Sequence, residues 1–260
     1  MPGFAHLTAH VALAGLICAC ALVATHVHAD MSGVVERIKP SIVAVGTLKA
    51  TDNPPFALRG TGFVVEDGNL VVTNAHVIAA GAELAGGATL AIHARVGGSA
   101  QTRRARIVVV APEYDLAVLR FEEAALPALA IRDSATVREG HMVGFTGFPI
   151  GSALGFSPVT HRGMVSAITP IALPGANARQ LSEKLVRRLR SGTFEIFQLD
   201  ATAYPGNSGS PVFDAASGDV IGILNMVLIK GTKEAALSTP SGIAYAIPSN
   251  FVLELLRASR

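Results

Sequence analysis

Tryptophan is absent from this chain of 260 residues, and cysteine occurs only twice, at Cys18 and Cys20. Both cysteines lie ahead of Asp30, so the remainder of the chain has none. A disulfide framework is thereby excluded, and stability must come from an ordinary apolar core. Some 230 residues are ample to build one, as one or two compact units. Beyond Asp30 the other histidines, His93, His141 and His161, fall at no metal-ligand spacing. With no cysteine to join them, neither a metal nor any other cofactor is expected. Charge is also scarce: charged residues make up 15% of the chain and the formal net charge is +2. That balance carries no signature of a nucleic-acid binder, and 5% aromatics gives little surface for base stacking. The two basic clusters, Arg103-Arg104-Ala105-Arg106 and Arg187-Arg188-Leu189-Arg190, read as a solvated strand edge and a solvated helix face.

Long hydrophobic runs are missing too. Val11 to Val23 is apolar over 13 residues, too short for a membrane span and the right size for the core of a secretory signal. Residues 1–29 are therefore expected to be a signal peptide cleaved after Ala29, although no Lys or Arg precedes the apolar run. Two alternatives keep the chain at a membrane through residues 1–29. Ile17-Cys18-Ala19-Cys20 could be a lipoprotein box with Cys20 lipidated, or the segment could be retained as an anchor.

Beyond Asp30 the chain is mostly short β-branched runs separated by Gly, Pro, Asn and Asp. Ser32 can cap a helix from Val34 to Lys39, stopped by Pro40. A first series of strands then reads Ile42–Thr47, Thr61–Val65, Leu70–Thr73, Leu90–His93, Ala105–Val110 and Ala117–Arg120. A second reads Met142–Phe145, Gly163–Ile168, Ile196–Asp200, Pro211–Phe213, Val220–Met226 and Ala244–Ile247. This spacing points to an all-β sandwich or barrel, not to alternating βαβ units. A looser stretch from Glu122 to Glu139 joins the series, giving expected halves of 30–128 and 129–260. Ala178 to Arg190 carries Leu181, Leu185 and Leu189 on one stripe and reads as a surface helix. A last helix starting at Pro248-Ser249 should pack Phe251, Val252, Leu255 and Leu256 against the second half.

Three short motifs carry chemistry. They are Thr73-Asn74-Ala75-His76-Val77, then Tyr114-Asp115-Leu116-Ala117-Val118-Leu119, then Gly206-Asn207-Ser208-Gly209-Ser210-Pro211. Taken singly, His76 reads as a packed histidine, Asp115 as a turn residue and Ser208 as part of a loop. Together they supply a nucleophile, a base to take its proton and a carboxylate to orient that base. The order His, Asp, Ser is that of the chymotrypsin-type double barrel. In that reading Ser208 attacks, His76 accepts and returns the proton, and Asp115 holds the imidazole. The turn Gly206-Asn207-Ser208 would form an oxyanion hole, aiming the N–H groups of Gly206 and Ser208 at one point.

These motifs, with Gly60-Thr61-Gly62-Phe63, Gly163-Met164-Val165-Ser166 and Gly242 to Asn250, make the chain resemble a trypsin-like serine protease of the HtrA (DegP/DegS) group. The likeness runs from Val34 to Val252. It implies two six-stranded antiparallel β-barrels with His76 and Asp115 on the first and Ser208 on the second. It also implies a periplasmic endopeptidase that acts on unfolded or misfolded polypeptides and can form homo-oligomers. Relatives carry PDZ domains after the protease, and this chain ends soon after Ile247, so regulation through such a domain is not expected here. Ser210 stands in place of a second glycine, Thr169 to Gln198 is long, and the loop Leu48 to Arg59 is short for the large cage assemblies of some relatives.

By the motif register Thr202 lies at the pocket floor with Leu224, Asn225 and Met226 along one wall. No carboxylate is placed there, so small or medium aliphatic side chains are expected at the cleaved position. Asn207 is neutral where digestive proteases carry an aspartate, so activation by pairing with a new amino terminus is not expected. Control should fall instead on the loops around Ala201–Gly206 and Val227–Ser241. Two rival readings remain, a non-catalytic peptide-binding module or holdase on the same fold, and an esterase.

Overall fold

The computed structural model describes residues 31–78, 87–150, 156–170, 194–225 and 242–260. Helix α1 spans Met31–Ile38 and buries Val34 and Ile38, four residues apart on one stripe. It begins at Met31, so Ser32 lies within its first turn and is not its cap. Pro40 falls in the short 3₁₀ turn Lys39–Ser41 that comes next.

Seven strands succeed it: β1 (Ile42–Leu48), β2 (Phe56–Val65), β3 (Leu70–Asn74), β4 (Thr89–Val96), β5 (Ser99–Arg104), β6 (Arg106–Ala111) and β7 (Leu116–Arg120). They form one antiparallel sheet in the order β5-β4-β1-β2-β3-β7-β6. The two edges of that sheet are consecutive strands separated only by Ala105, whose N–H donates to Leu90 O at 2.9 Å. The two edges of this sheet are thus joined through the chain itself, at Ala105. The sequence leads one to expect a six-stranded barrel; the structure adds β5, which lies just ahead of the expected fifth strand.

The second half contains β8 (Met142–Gly147), β9 (Val159–Pro170), β10 (Glu195–Asp200), β11 (Pro211–Asp214), β12 (Val220–Leu224) and β13 (Ile243–Pro248). These six close a barrel in the order β10-β13-β12-β11-β8-β9. The all-β double-barrel fold expected from the sequence is the fold observed. The surface helix expected over 178–190 and the segment 1–29 lie outside the described residues.

The connection between the halves changes partners between Leu129 and Ala130. Leu129 N donates to Val64 O in β2, while Ala130 O accepts from Val220 N in β12. Helix α2 (Ser249–Ala258) buries Val252, Leu255 and Leu256. Phe251 reaches the first half instead, where it stacks on Tyr114 at 4.4 Å between ring centres. One apolar cluster contains Phe63, Val72 and Leu116 of the first half with Phe213, Ile223 and Leu256 of the second. The halves thus share a core, and the face between them is held by packing as well as by hydrogen bonds.

One residue departs from its expected surroundings. Arg103 belongs by sequence to a solvated strand edge, but it is buried beneath the linker. Its guanidinium donates to Ala124 O at 2.6 Å and to Gln101 Oε1 at 3.1 Å, and lies 5.3 Å from the centre of the Phe121 ring.

Candidate functional site

Strand β3 ends at Asn74, paired opposite Leu116, the first residue of β7. That register sets Asp115, just before β7, beside His76, just after β3. The side chain of Asn74 and the N–H of Ala75 both donate to Asp115 O, at 3.1 and 3.0 Å. Asp115 has φ of 55°, a left-handed conformation that aspartate tolerates better than most residues. The preceding turn is closed by Tyr114 N to Ala111 O and Asp115 N to Pro112 O.

This turn aims the carboxylate at His76. Asp115 Oδ1 accepts from His76 N at 3.0 Å, and Oδ2 stands 2.6 Å from His76 Nδ1. Oδ2 also accepts from Asn225 Nδ2 at 2.8 Å, a contact that crosses from the second half. Burial pushes the Asp115 carboxyl up, but the His76 imidazole, the His76 N–H and the Asn225 amide outweigh it and hold the group below the usual carboxylate range. An ionised carboxylate can only accept, so the proton of a neutral imidazole sits on Nδ1 and Nε2 is left as the acceptor.

On the other side of the interface, four successive peptides around Ser208 are tied by their carbonyls. Pro205 O accepts from Ile150 N at 2.7 Å, Gly206 O from Thr61 Oγ1 at 2.8 Å, Asn207 O from Ser210 N at 3.0 Å and Ser208 O from Thr61 N at 2.8 Å. In a trans peptide the N–H points away from the C=O, so each bond fixes the direction of the following N–H. The N–H groups of Asn207 and Gly209 are taken up, by Tyr204 O and Leu224 O. Those of Gly206 and Ser208 have no hydrogen-bond partner among the described residues. Gly206, at φ of 102°, adopts the backbone that this alternation requires and that a side chain would resist. The outcome is a short turn with two donors unpaired among the described residues, one on Gly206 and one on the buried Ser208 itself.

The two sides meet at Gly60. A methyl group there would lie 2.6 Å from Val77 Cγ2, next to His76, and 2.9 Å from Ser208 O. Only glycine lets the residue after His76 and the backbone of Ser208 approach β2 together. Asn225 closes the circuit from the other direction, since it touches Asp115 while its neighbour Leu224 accepts from Gly209 N. The arrangement has the parts for acyl transfer: a hydroxyl, an imidazole held at Nδ1 by a carboxylate, and two backbone donors, although no hydrogen bond joins His76 Nε2 to Ser208 Oγ among the described residues.

Not every expected residue falls where the motif register puts it. Thr202 is half-buried at the start of the turn, and Leu224 is fully buried behind it. Asn225, expected in the pocket wall, is fully buried with its amide on Asp115. Met226 and the loop 227–241 lie outside the described residues. Asn207 contributes no donor to the hole; its N–H closes the turn, and its buried side chain has no hydrogen-bond partner. Ser210 Oγ is likewise buried without one.

Sequence reasoning misses two participants, Thr61 and the carboxylate-binding role of Asn225. Thr61 Oγ1 also accepts from Phe148 N, and Thr73 Oγ1 donates to Thr61 O, so this one residue is tied to β3, β8 and the serine turn. Its flanking glycines in Gly60-Thr61-Gly62 are the available signal. Among the described residues no group of three or more His, Asp or Glu side chains is arranged to hold a metal.

A family model described as "Trypsin-like peptidase domain" matches residues 60–223. The chain is 32% identical, over 194 residues, to a "Probable periplasmic serine endoprotease DegP-like" from Chlamydia trachomatis, covering 74% of this chain and 32% of that protein. It is 31% identical, over 237 residues, to "Serine protease HTRA2, mitochondrial" from Bos taurus, covering 87% of this chain and 42% of that protein. Among solved structures it is similar to "HtrA-type protease AlgW with tripeptide", with a TM-score of 0.60 at 27% identity, covering 88% of this chain and 63% of that one. The chain thus spans less than half the length of these two curated relatives.

Proposed function

The chain belongs to the trypsin-like peptidase domain family, and on that premise we propose that it is an HtrA-type serine endopeptidase acting on unfolded or misfolded polypeptides. His76 and Asp115 come from the half spanning 30–128, and Ser208 from the half spanning 129–260. Ser208 Oγ attacks the peptide carbonyl while His76 Nε2 takes its proton. Asp115 keeps Nδ1 protonated and stabilises the imidazolium that forms. His76 then passes the proton to the leaving amine, and water attacks the acyl-enzyme by the same route in reverse.

The observation that carries this reading is the pair of N–H groups on Gly206 and Ser208, unpaired among the described residues and fixed by bonded carbonyls on both sides. In this reading they are the donors that receive the tetrahedral oxyanion. Each such donor contributes about 3 kcal/mol of transition-state stabilisation, roughly a hundredfold in rate. A holdase on this fold would have no use for that rigid pair. With Asn207 neutral and buried, the turn is held without an ion pair to a new amino terminus, so activity needs no processing beyond signal removal. Substrate side chains enter beside Thr202 and Leu224, where small or medium aliphatic groups fit best. Extended peptide adds to a barrel edge, so affinity comes from main-chain hydrogen bonds with little sequence demand. Residues 1–29 direct the chain to the periplasm.

The test is labelling by a fluorophosphonate probe together with casein degradation. Both are expected of the wild-type chain and neither of Ser208→Ala. Casein degradation that survives in Ser208→Ala would overturn the proposal, and hydrolysis confined to small esters would turn it into an esterase. Mass spectrometry of the mature amino terminus checks the signal peptide, with Asp30 as the expected first residue.

A further inference from the structure

Strand β9 crosses the second barrel with His161 and Gly163 on the same face, two residues apart. Gly163 packs on Ala201, so closely that a methyl group there would lie 2.7 Å from Ala201 Cβ. One step along, the His161 ring stacks on Phe145, its cross-strand partner, at 4.8 Å and 15°. On the other side it comes within 6.1 Å of the Tyr204 ring. His161 therefore lies beneath the segment Ala201 to Tyr204, which contains Thr202 and leads into the serine turn. Phe145, on which it stacks, belongs to one apolar cluster with Ala201, Ala203 and Leu224.

In this apolar setting His161 Nε2 is buried and has no hydrogen-bond partner among the described residues. Leaving such a group unpaired costs about 1–3 kcal/mol, which Phe or Leu at this position would avoid. Packing alone is therefore a poor account of a histidine here. Burial pushes its pKa below the ordinary value, so at neutral pH the ring is neutral, with one nitrogen able to donate and the other to accept.

We propose that His161 reads the far end of the substrate side chain that enters beside Thr202. By pairing with a terminal hydroxyl or amide, it admits side chains with an aliphatic stem and a polar tip alongside their purely aliphatic isosteres. This rests on the endopeptidase reading above and adds a polar component to its aliphatic pocket.

The experiment measures kcat/KM on peptides that differ only at the cleaved position, in the matched pairs Val/Thr, Leu/Asn and Met/Gln. Wild type is compared with His161→Phe, which keeps a ring on Phe145, and with His161→Gln, which keeps a donor and an acceptor. In wild type at least one polar member is cleaved within about tenfold of its partner, and His161→Phe lowers that member a further tenfold or so while the aliphatic partners hold within about threefold. His161→Gln recovers part of the loss. The inference is overturned if wild type rejects all three polar members, or if the polar-to-aliphatic ratios are the same in wild type and His161→Phe. It is overturned too if His161→Phe lowers both members of each pair alike while His161→Gln keeps the wild-type rates, since that is a loss of packing. If wild type cleaves none of the six peptides and no casein, the endopeptidase reading falls and takes this inference with it.

Discussion

Among the described residues two aspartate–histidine pairs stand one in each half, at nearly the same separation. His76 and Asp115 stand 2.6 Å apart, and His141 and Asp214 stand 2.7 Å apart. The difference lies in which nitrogen is engaged and what else the carboxylate meets. Asp115 takes Nδ1 and leaves Nε2 of His76 without a hydrogen-bond partner among the described residues. Asp214 takes Nε2 of His141, and the same oxygen also accepts from Arg132 at 3.0 Å. Its other oxygen caps a turn through the N–H groups of Ala216 and Ser217, both at 2.8 Å. Burial raises the Asp214 carboxyl, but Ser217, His141, Ala216 and Arg132 together hold it far below the usual range. With a permanent cation attached and no hydroxyl to activate, the second pair is a lock on β11. An aspartate beside a histidine is therefore no mark of catalysis until the remaining ring nitrogen is accounted for.

Mutations can break this contrast. The largest expected effect is at Asp115→Asn. Its amide presents a donor to Nδ1 and favours the wrong tautomer, so kcat should fall roughly 10⁴-fold with little loss of stability. Next is Asn225→Ala, which removes one bond to the carboxylate and leaves the His76 contacts in place. A loss of about 30-fold in kcat with KM held is expected from one hydrogen bond to a charged group. Equal activity in the two proteins would show that His76 alone orients Asp115.

Asp214→Asn is expected to do the reverse, leaving the kcat/KM of folded protein unchanged while lowering stability by about 2 kcal/mol in urea unfolding. Its pH dependence is set by the sign of the shift. The folded-state pKa is depressed, so the stabilisation is complete above the unfolded value of about 4 and is lost as pH falls below it. Wild type and Asp214→Asn should therefore converge in stability under acid conditions and diverge at neutral pH. A constant gap across that window would assign the loss to packing.

Much of this is legible in the sequence because the residues concerned sit in local patterns. Each β-branched run overlaps an observed strand, and the buried stripe of α2 is visible as Val252, Leu255 and Leu256. Strand β5 is not, since Ser99-Ala100-Gln101-Thr102-Arg103-Arg104 is polar and mostly exposed. It is a strand because β4 offers it a ladder, and that is a tertiary fact. Arg103 is misjudged from sequence for the same reason: the linker residue Ala124 that covers it lies 21 positions on, and no periodicity reveals it. At the site, His76, Asp115 and Ser208 are found from types, motifs and order. Thr61 and Asn225 act across sequence separations of 145 and 110, on Gly206 and on Asp115. Neither residue type announces such a partner, so only the folded register could show it.

Thr61 has a consequence for how this protein comes of age. A single residue of the portion synthesised first grips two carbonyls of the portion synthesised last. Until that grip is made, two of the four carbonyls around Ser208 hang untied, so the turn made last is finished on a template laid down in the half made first.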